Sequence, residues 1–171
     1  MKSVFLKSWR FVTVMLASLT TGMTFAHFLE MPQKMSYDAP MYLAVTHTLY
    51  RYFAVIGAPV EVGGLIFAVI LCWLIRGRRP AYELTLAGTI CWAAGLALWF
   101  ALIAPANYVL AAWTPSTIPA DWTGYRNQWE YTHAVRAVLD VIAAACLVAS
   151  LVVETPPAAG VRRDRQDALA A

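Results

Sequence analysis

The chain has 171 residues, of which 60% are hydrophobic and 13% charged, and its mean hydropathy is +0.58. Soluble domains carry about 25% charged residues, so composition favours an integral membrane protein over a soluble one. The net charge of +3 comes without a basic cluster interleaved with aromatics, which argues against nucleic acid as a partner.

Four apolar stretches approach the roughly 20 residues that a bilayer crossing needs. They cover about 9–29, 58–75, 84–104 and 132–153, and together predict an all-α, four-helix membrane bundle in one domain, 1–154. The first span follows a basic start and ends near Thr24-Phe25-Ala26, which has the look of a signal-peptide cleavage site. It is long for a signal, and its removal would leave mismatched charge sides, so we expect it to be retained.

Between the first two spans, 31–40 reads as a polar loop and 41–57 as a helix carrying His47 and Arg51. Pro59 should kink or break that helix from the second span. This predicts an extra half-helix, interfacial or re-entrant, with one continuous tilted helix as the rival. The third span should end at Pro105, and a loop with Trp113 and Trp122 in the interfacial belt should follow. The segment 155–171, rich in Ala, Pro and charge, reads as a disordered tail.

Nine of the 13 basic residues fall on one side: Lys2, Lys7, Arg10, Arg76, Arg78, Arg79, Arg162, Arg163 and Arg165. That side should be the cytoplasm, with both termini inside a bacterial inner (plasma) membrane. The cysteines, Cys72, Cys91 and Cys146, each lie in a separate apolar run and read as small buried hydrophobes.

The strongest pattern is a stripe near the C-terminus: Trp122, Arg126, Trp129, His133, Arg136 and Asp140. Its steps of 4, 3, 4, 3 and 4 average the 3.6 residues of an α-helical turn. Ionisable groups cost about 2.5–3.5 kcal/mol each at the bilayer centre, so they should face a protein interior and by default mark function. All three histidines, His27, His47 and His133, fall toward the outer end, with Glu30, Glu61 and Asn107 nearby. Each has a plainer alternative. His27 and Arg126 would be wetted by headgroups, Glu61 would bind backbone freed at a kink, and Arg136 and Asp140, one turn apart, would neutralise each other.

The run Pro105, Asn107, Leu110, Ala111, Trp113, Pro119, Trp122, Arg126, Trp129, His133 and Arg136 resembles the signature of a membrane family long labelled as of unknown function. That family includes the anthrone oxygenases of polyketide pathways. His27, Glu30 and Pro32 are similar to its N-terminal pattern, and the likeness covers about residues 10 to 153. The resemblance implies a four-span bundle and O2-dependent oxidation of an anthrone-like, apolar aromatic or quinoid substrate. His133, then His27, would act as base, and Arg136 or Arg126 would hold the oxyanion. Trp129, Trp122, Trp113 and Asn107 would contact the substrate, in a pocket between spans one, three and four.

The enolate of such a substrate can react with O2 without a cofactor. A metal version, with His27, Glu30 and His133 (His47 a further candidate) holding iron or copper, stays open. The expected partners are the lipid bilayer and a hydrophobic small molecule, and a homo-oligomer is compatible. The rival function is a non-catalytic membrane protein that binds a lipid or quinone or supports a partner protein. A transporter or channel subunit is the third class.

Overall fold

A computed structural model describes residues 2–155, all helical apart from short turns. The helices are α1 (Lys2–Lys34), α2 (Ala39–Leu49), α3 (Arg51–Ile75), α4 (Ala81–Leu98), α5 (Ala104–Ala111) and α6 (Trp122–Val152). A π-helical turn, Trp99–Ile103, joins α4 to α5. Four segments are long and apolar enough to cross a membrane: Val4–Lys34, Tyr52–Ile75, Ala81–Ala111 and Trp122–Val152. The chain is therefore an integral membrane four-helix bundle, as its composition predicts.

The four long elements form a ring in which α1 packs on α3, α3 on α4, α4 on α6, and α6 on α1. Small residues allow the closest approaches. A Cβ on Gly88 would lie 2.9 Å from the Ala143 carbonyl of α6. One on Gly64 would lie 2.3 Å from the buried Trp92 ring. Between α4 and α6, Thr85 and Ser150 share a hydroxyl hydrogen bond of 2.7 Å, and Ser150 donates to the Ala81 carbonyl at 3.0 Å. Packing of small residues with hydroxyl bonds is the expected means of holding helices together in lipid, where apolar surface alone gives no preference for protein. The outer faces carry Phe11, Leu19, Ile66, Trp73, Ile90 and Val138, all exposed and apolar.

Four boundaries differ from the sequence expectation. α1 does not stop near residue 29 but continues through Pro32 to Lys34, so the predicted loop shrinks to 35–38. Its last turn is held by Lys34, whose Nζ lies 3.1 Å from Glu130 of α6. The predicted break at Pro59 does not occur; Pro59 lies inside α3, and α2 is separated from α3 at Tyr50. There the backbone leaves the helical region (φ −94°, ψ 5°) while the Tyr50 side chain turns into the bundle against His27 and Trp129. The half-helix is thus real but ends earlier than 57, capped at its start by Asp38, whose carboxylate accepts from the Met41 N–H at 3.0 Å.

The third span does not end at Pro105. A proline lacks an N–H and crowds the carbonyl one turn earlier. The π turn absorbs it: the Ala104 N–H reaches back five residues to the Trp99 carbonyl, and the helix resumes to Ala111. α6 starts at Trp122, ten residues before the apolar run at 132, so stripe and span are one helix. Of the expected tail, 156–171 lies outside the described residues.

The N-terminal part of α1, the α3–α4 turn and the end of α6 meet at one end of the bundle. Buried Arg10 pairs there with Glu154 at 2.5 Å, and exposed Arg78 lies 3.7 Å from the same carboxylate. The opposite end carries α2, α5 and a cleft.

Candidate functional site

The stripe on α6 points inward. Trp129, His133, Arg136 and Asp140 are buried, and Trp122 and Arg126 half-buried. Helical spacing brings the first four down one face toward the bundle axis, where α1 and α3 present their own polar groups.

A cleft of about 570 Å³ opens there. One wall is His27, Trp129 and His133; another is His47, Tyr50 and Phe53. Its floor holds Thr20, Glu61 and Arg136, and α4, the π turn and α5 contribute Leu96, Trp99, Phe100 and Asn107. The cleft therefore involves all four spans and α2. The expectation of a pocket between spans one, three and four omitted α3, which supplies Phe53, Gly57 and Glu61.

The two histidine rings, on α1 and α6, lie 4.5 Å apart centre to centre. The Trp129 ring is 3.9 Å from His133 and edge-on to His27 at 5.1 Å. His133 Nδ1 sits 2.9 Å from the carbonyl of Trp129, one turn back on its own helix. A carbonyl only accepts, so Nδ1 carries the hydrogen and Nε2 of the neutral ring keeps a free lone pair. The same logic applies to His47, whose Nε2 donates to the Leu110 carbonyl at 3.0 Å and ties α2 to α5. Trp129 Nε1–H donates to Asn107 Oδ1 at 2.7 Å, which orients the indole in the wall.

On the floor, Arg136 pairs with Glu61 of α3, across the ring of helices. Arg136 and Asp140 thus do not simply neutralise each other, and Glu61 does more than bind freed backbone. Arg136 Nε, His27 Nδ1, Thr20 Oγ1 and both Asp140 oxygens are buried without an aligned hydrogen-bond partner. Such groups are costly in an apolar interior, and Arg136, His27 and Thr20 line the cleft.

Beside the cleft lies a second charged group. Lys34, 2% exposed, is an ion-pair partner of Glu130, 1% exposed, and lies 3.8 Å from Glu30. Its ammonium stands over the Trp129 ring at 4.4 Å and the Tyr50 ring at 4.9 Å. The Tyr50 hydroxyl donates to Glu30. Burial and the adjoining Glu30 carboxylate push the Tyr50 hydroxyl above its usual range, and burial together with Glu130 does the same for Tyr42, so both remain donors.

Of the sequence candidates, His27, His133, Arg136, Trp129 and Asn107 converge on the cleft. Arg126, Trp122 and Trp113 stand outside it. Arg126 donates to the Met35 carbonyl at 3.0 Å and lies over the Trp122 ring, pinning the α1–α2 loop. Trp113 packs edge-on against Tyr125. Among the described residues no group of three or more His, Cys, Asp and Glu side chains is arranged to hold a metal ion. The candidate set of His27, Glu30 and His133 is not among such groups: Glu30 Oε2 accepts from Tyr50, lies 3.8 Å from Lys34 Nζ and is 4.0 Å from His27 Nδ1.

Lys34, Tyr42 and Glu130 were not predicted. Glu130 lies next to the stripe, one turn past Arg126, and its one available signal was an acid just ahead of an apolar run.

Fold and cleft together define a four-span membrane protein with a histidine-containing, aromatic-walled cavity toward one end. No protein-family model, characterised protein or solved structure matches the chain.

Proposed function

We propose that the protein is an anthrone-oxygenase-like membrane oxidoreductase, acting with O2 on a flat, apolar aromatic or quinoid substrate near the outer membrane face. One observation carries this: two histidines 4.5 Å apart in an aromatic cleft, with an unpartnered Arg136 Nε–H nearby. An anthrone methylene is acidic because its conjugate base is an aromatic enolate. A histidine nitrogen facing the cleft takes that proton, and Arg136 donates to the enolate oxygen. Trp129 and Phe53 flank the rings.

The enolate carbon gives its electron pair to O2, forming a C–O bond and a peroxide. The peroxide takes up a proton. Loss of the second C–H with cleavage of O–O then yields the quinone carbonyl and water. One substrate and one O2 give one quinone and one H2O, with no external reductant. The resemblance set out above supports the reaction class, and the positive end formed by Arg10, Arg76, Arg78 and Arg79 supports cytoplasmic termini.

The test is O2 uptake by purified protein in detergent with a model anthrone. We expect one O2 per quinone, and a loss of about 100-fold or more in His133→Gln or His27→Gln, a typical range for a removed general base. Folded, monodisperse variants that keep the wild-type rate would overturn the assignment. Wild-type protein that binds a quinone without consuming O2 would move it to the non-catalytic class.

A further inference from the structure

The extra turn at the end of α1 places His27, Glu30 and Lys34 on one helical face. His27 lines the cleft, and its Nδ1 lies 4.0 Å from Glu30 Oε2. That oxygen also accepts from the Tyr50 hydroxyl and lies 3.8 Å from Lys34 Nζ. The other acids around the cleft, Glu61, Glu130 and Asp140, are buried. The Glu30 side chain is 42% exposed. It is thus the partly exposed carboxylate near the end of α1, and it lies beside a cleft histidine.

An imidazole accepts a proton at one nitrogen and releases one from the other. His133 is poorly placed to do this, since its Nδ1 is held on the Trp129 carbonyl. His27 Nδ1 is buried, has no aligned partner and faces Glu30.

We propose that His27, Glu30 and Tyr50 form a proton path between the cleft and water at the end of α1. Glu30 is the group that exchanges protons with solvent, and Tyr50 positions its carboxylate. The use of this path in turnover rests on the oxidation proposed above; its geometry does not. In that oxidation no net proton is released, because both methylene hydrogens end in water. The path carries the first proton away while the enolate waits for O2, and returns one to the peroxide.

The substrate-free test is water exchange of the His27 ring N–H, followed by 15N NMR of histidine-labelled protein in detergent and assigned with His27→Gln. We expect Glu30→Gln to slow exchange at least tenfold and Glu30→Asp to stay within threefold of wild type. Exchange within twofold of wild type in Glu30→Gln, or equal slowing in Glu30→Asp, overturns the path. If Glu30→Gln does not accumulate folded, Tyr50→Phe decides: slowing of threefold or more supports the path, and anything less overturns it.

A second arm uses a model anthrone in D2O without O2. Wild type should exchange the methylene hydrogens with solvent at least tenfold faster than Glu30→Gln, in which His27 returns the same proton. Failure of the wild type to oxidise anthrones would remove the proposed reaction and leave the ring-exchange result standing.

Discussion

Arg136 has two carboxylates within reach but pairs with one. Glu61 from α3 holds it, while Asp140, one turn further along α6, is 2% exposed and lacks a hydrogen-bond partner. With neutral histidines, one positive and two negative formal charges share the middle of the bundle. Removing a surplus charge should cost little, so Asp140→Asn alone should change stability by no more than about 0.5 kcal/mol. Glu61→Gln leaves the guanidinium buried. Losing one partner of such a pair ordinarily costs about 3–5 kcal/mol.

Asp140 should then take over. Side chains at i and i+4 stand about 6 Å apart, and at an effective dielectric of about 20 two unit charges at that distance attract by about 3 kcal/mol. We therefore expect Glu61→Gln to cost about 2 kcal/mol. Adding Asp140→Asn in that background should cost about 3 kcal/mol more, a coupling far above the few tenths expected of independent sites. Unfolding of the four proteins in mixed detergent micelles, by steric trapping or SDS titration, gives the cycle. A coupling below about 0.5 kcal/mol would show that Asp140 is not the reserve counter-ion of Arg136.

Adjacent glycines on α3 offer a contrast in packing. Gly64→Ala drives a Cβ into the Trp92 ring and should lower stability by about 1–3 kcal/mol, the usual range for overpacking. Gly63→Ala meets nothing within 4 Å and should be neutral, or stabilising by up to about 1 kcal/mol through helix propensity, in the same unfolding assay. At the opposite end, Glu154→Gln orphans buried Arg10 and should cost about 1–3 kcal/mol, whereas Arg78→Ala, removing an exposed partner, should stay within about 0.5 kcal/mol. In the cleft, Trp129→Ala should weaken binding of a flat polycycle by about tenfold, read by fluorescence titration, while Trp129→Phe keeps an aromatic wall and should lose about threefold.

Long-range order in this chain is written in its hydropathy and in the spacing of the stripe. Four spans and an inward face on α6 follow from these, because lipid leaves few alternatives for a charged helix face. What escaped is where each helix stops. Pro32, Pro59 and Pro105 look like terminators, yet helix continues past all three. Local steric rules are outweighed there by Lys34 reaching Glu130, by the bundle packing of α3, and by the π turn ahead of Pro105. The cleft shows the same division. His27, His133 and Arg136 are legible as ionisable groups at helical spacing on apolar segments. Lys34 and Glu130 are not, because their pairing joins helices 96 residues apart in sequence, and no local pattern reports that.

The π turn at Trp99–Ile103 has a consequence for the aim of everything after it. One residue added to a helical turn rotates the downstream face by about 100°. Upstream, Gly88, Thr89 and Trp92 are indexed to fit their neighbours tightly; downstream, Asn107 and Leu110 are indexed instead to meet the indole of Trp129 and the imidazole of His47. A single helix thus works in two angular registers, one for holding the bundle shut and one for facing the cavity, and the inserted residue is the gear between them.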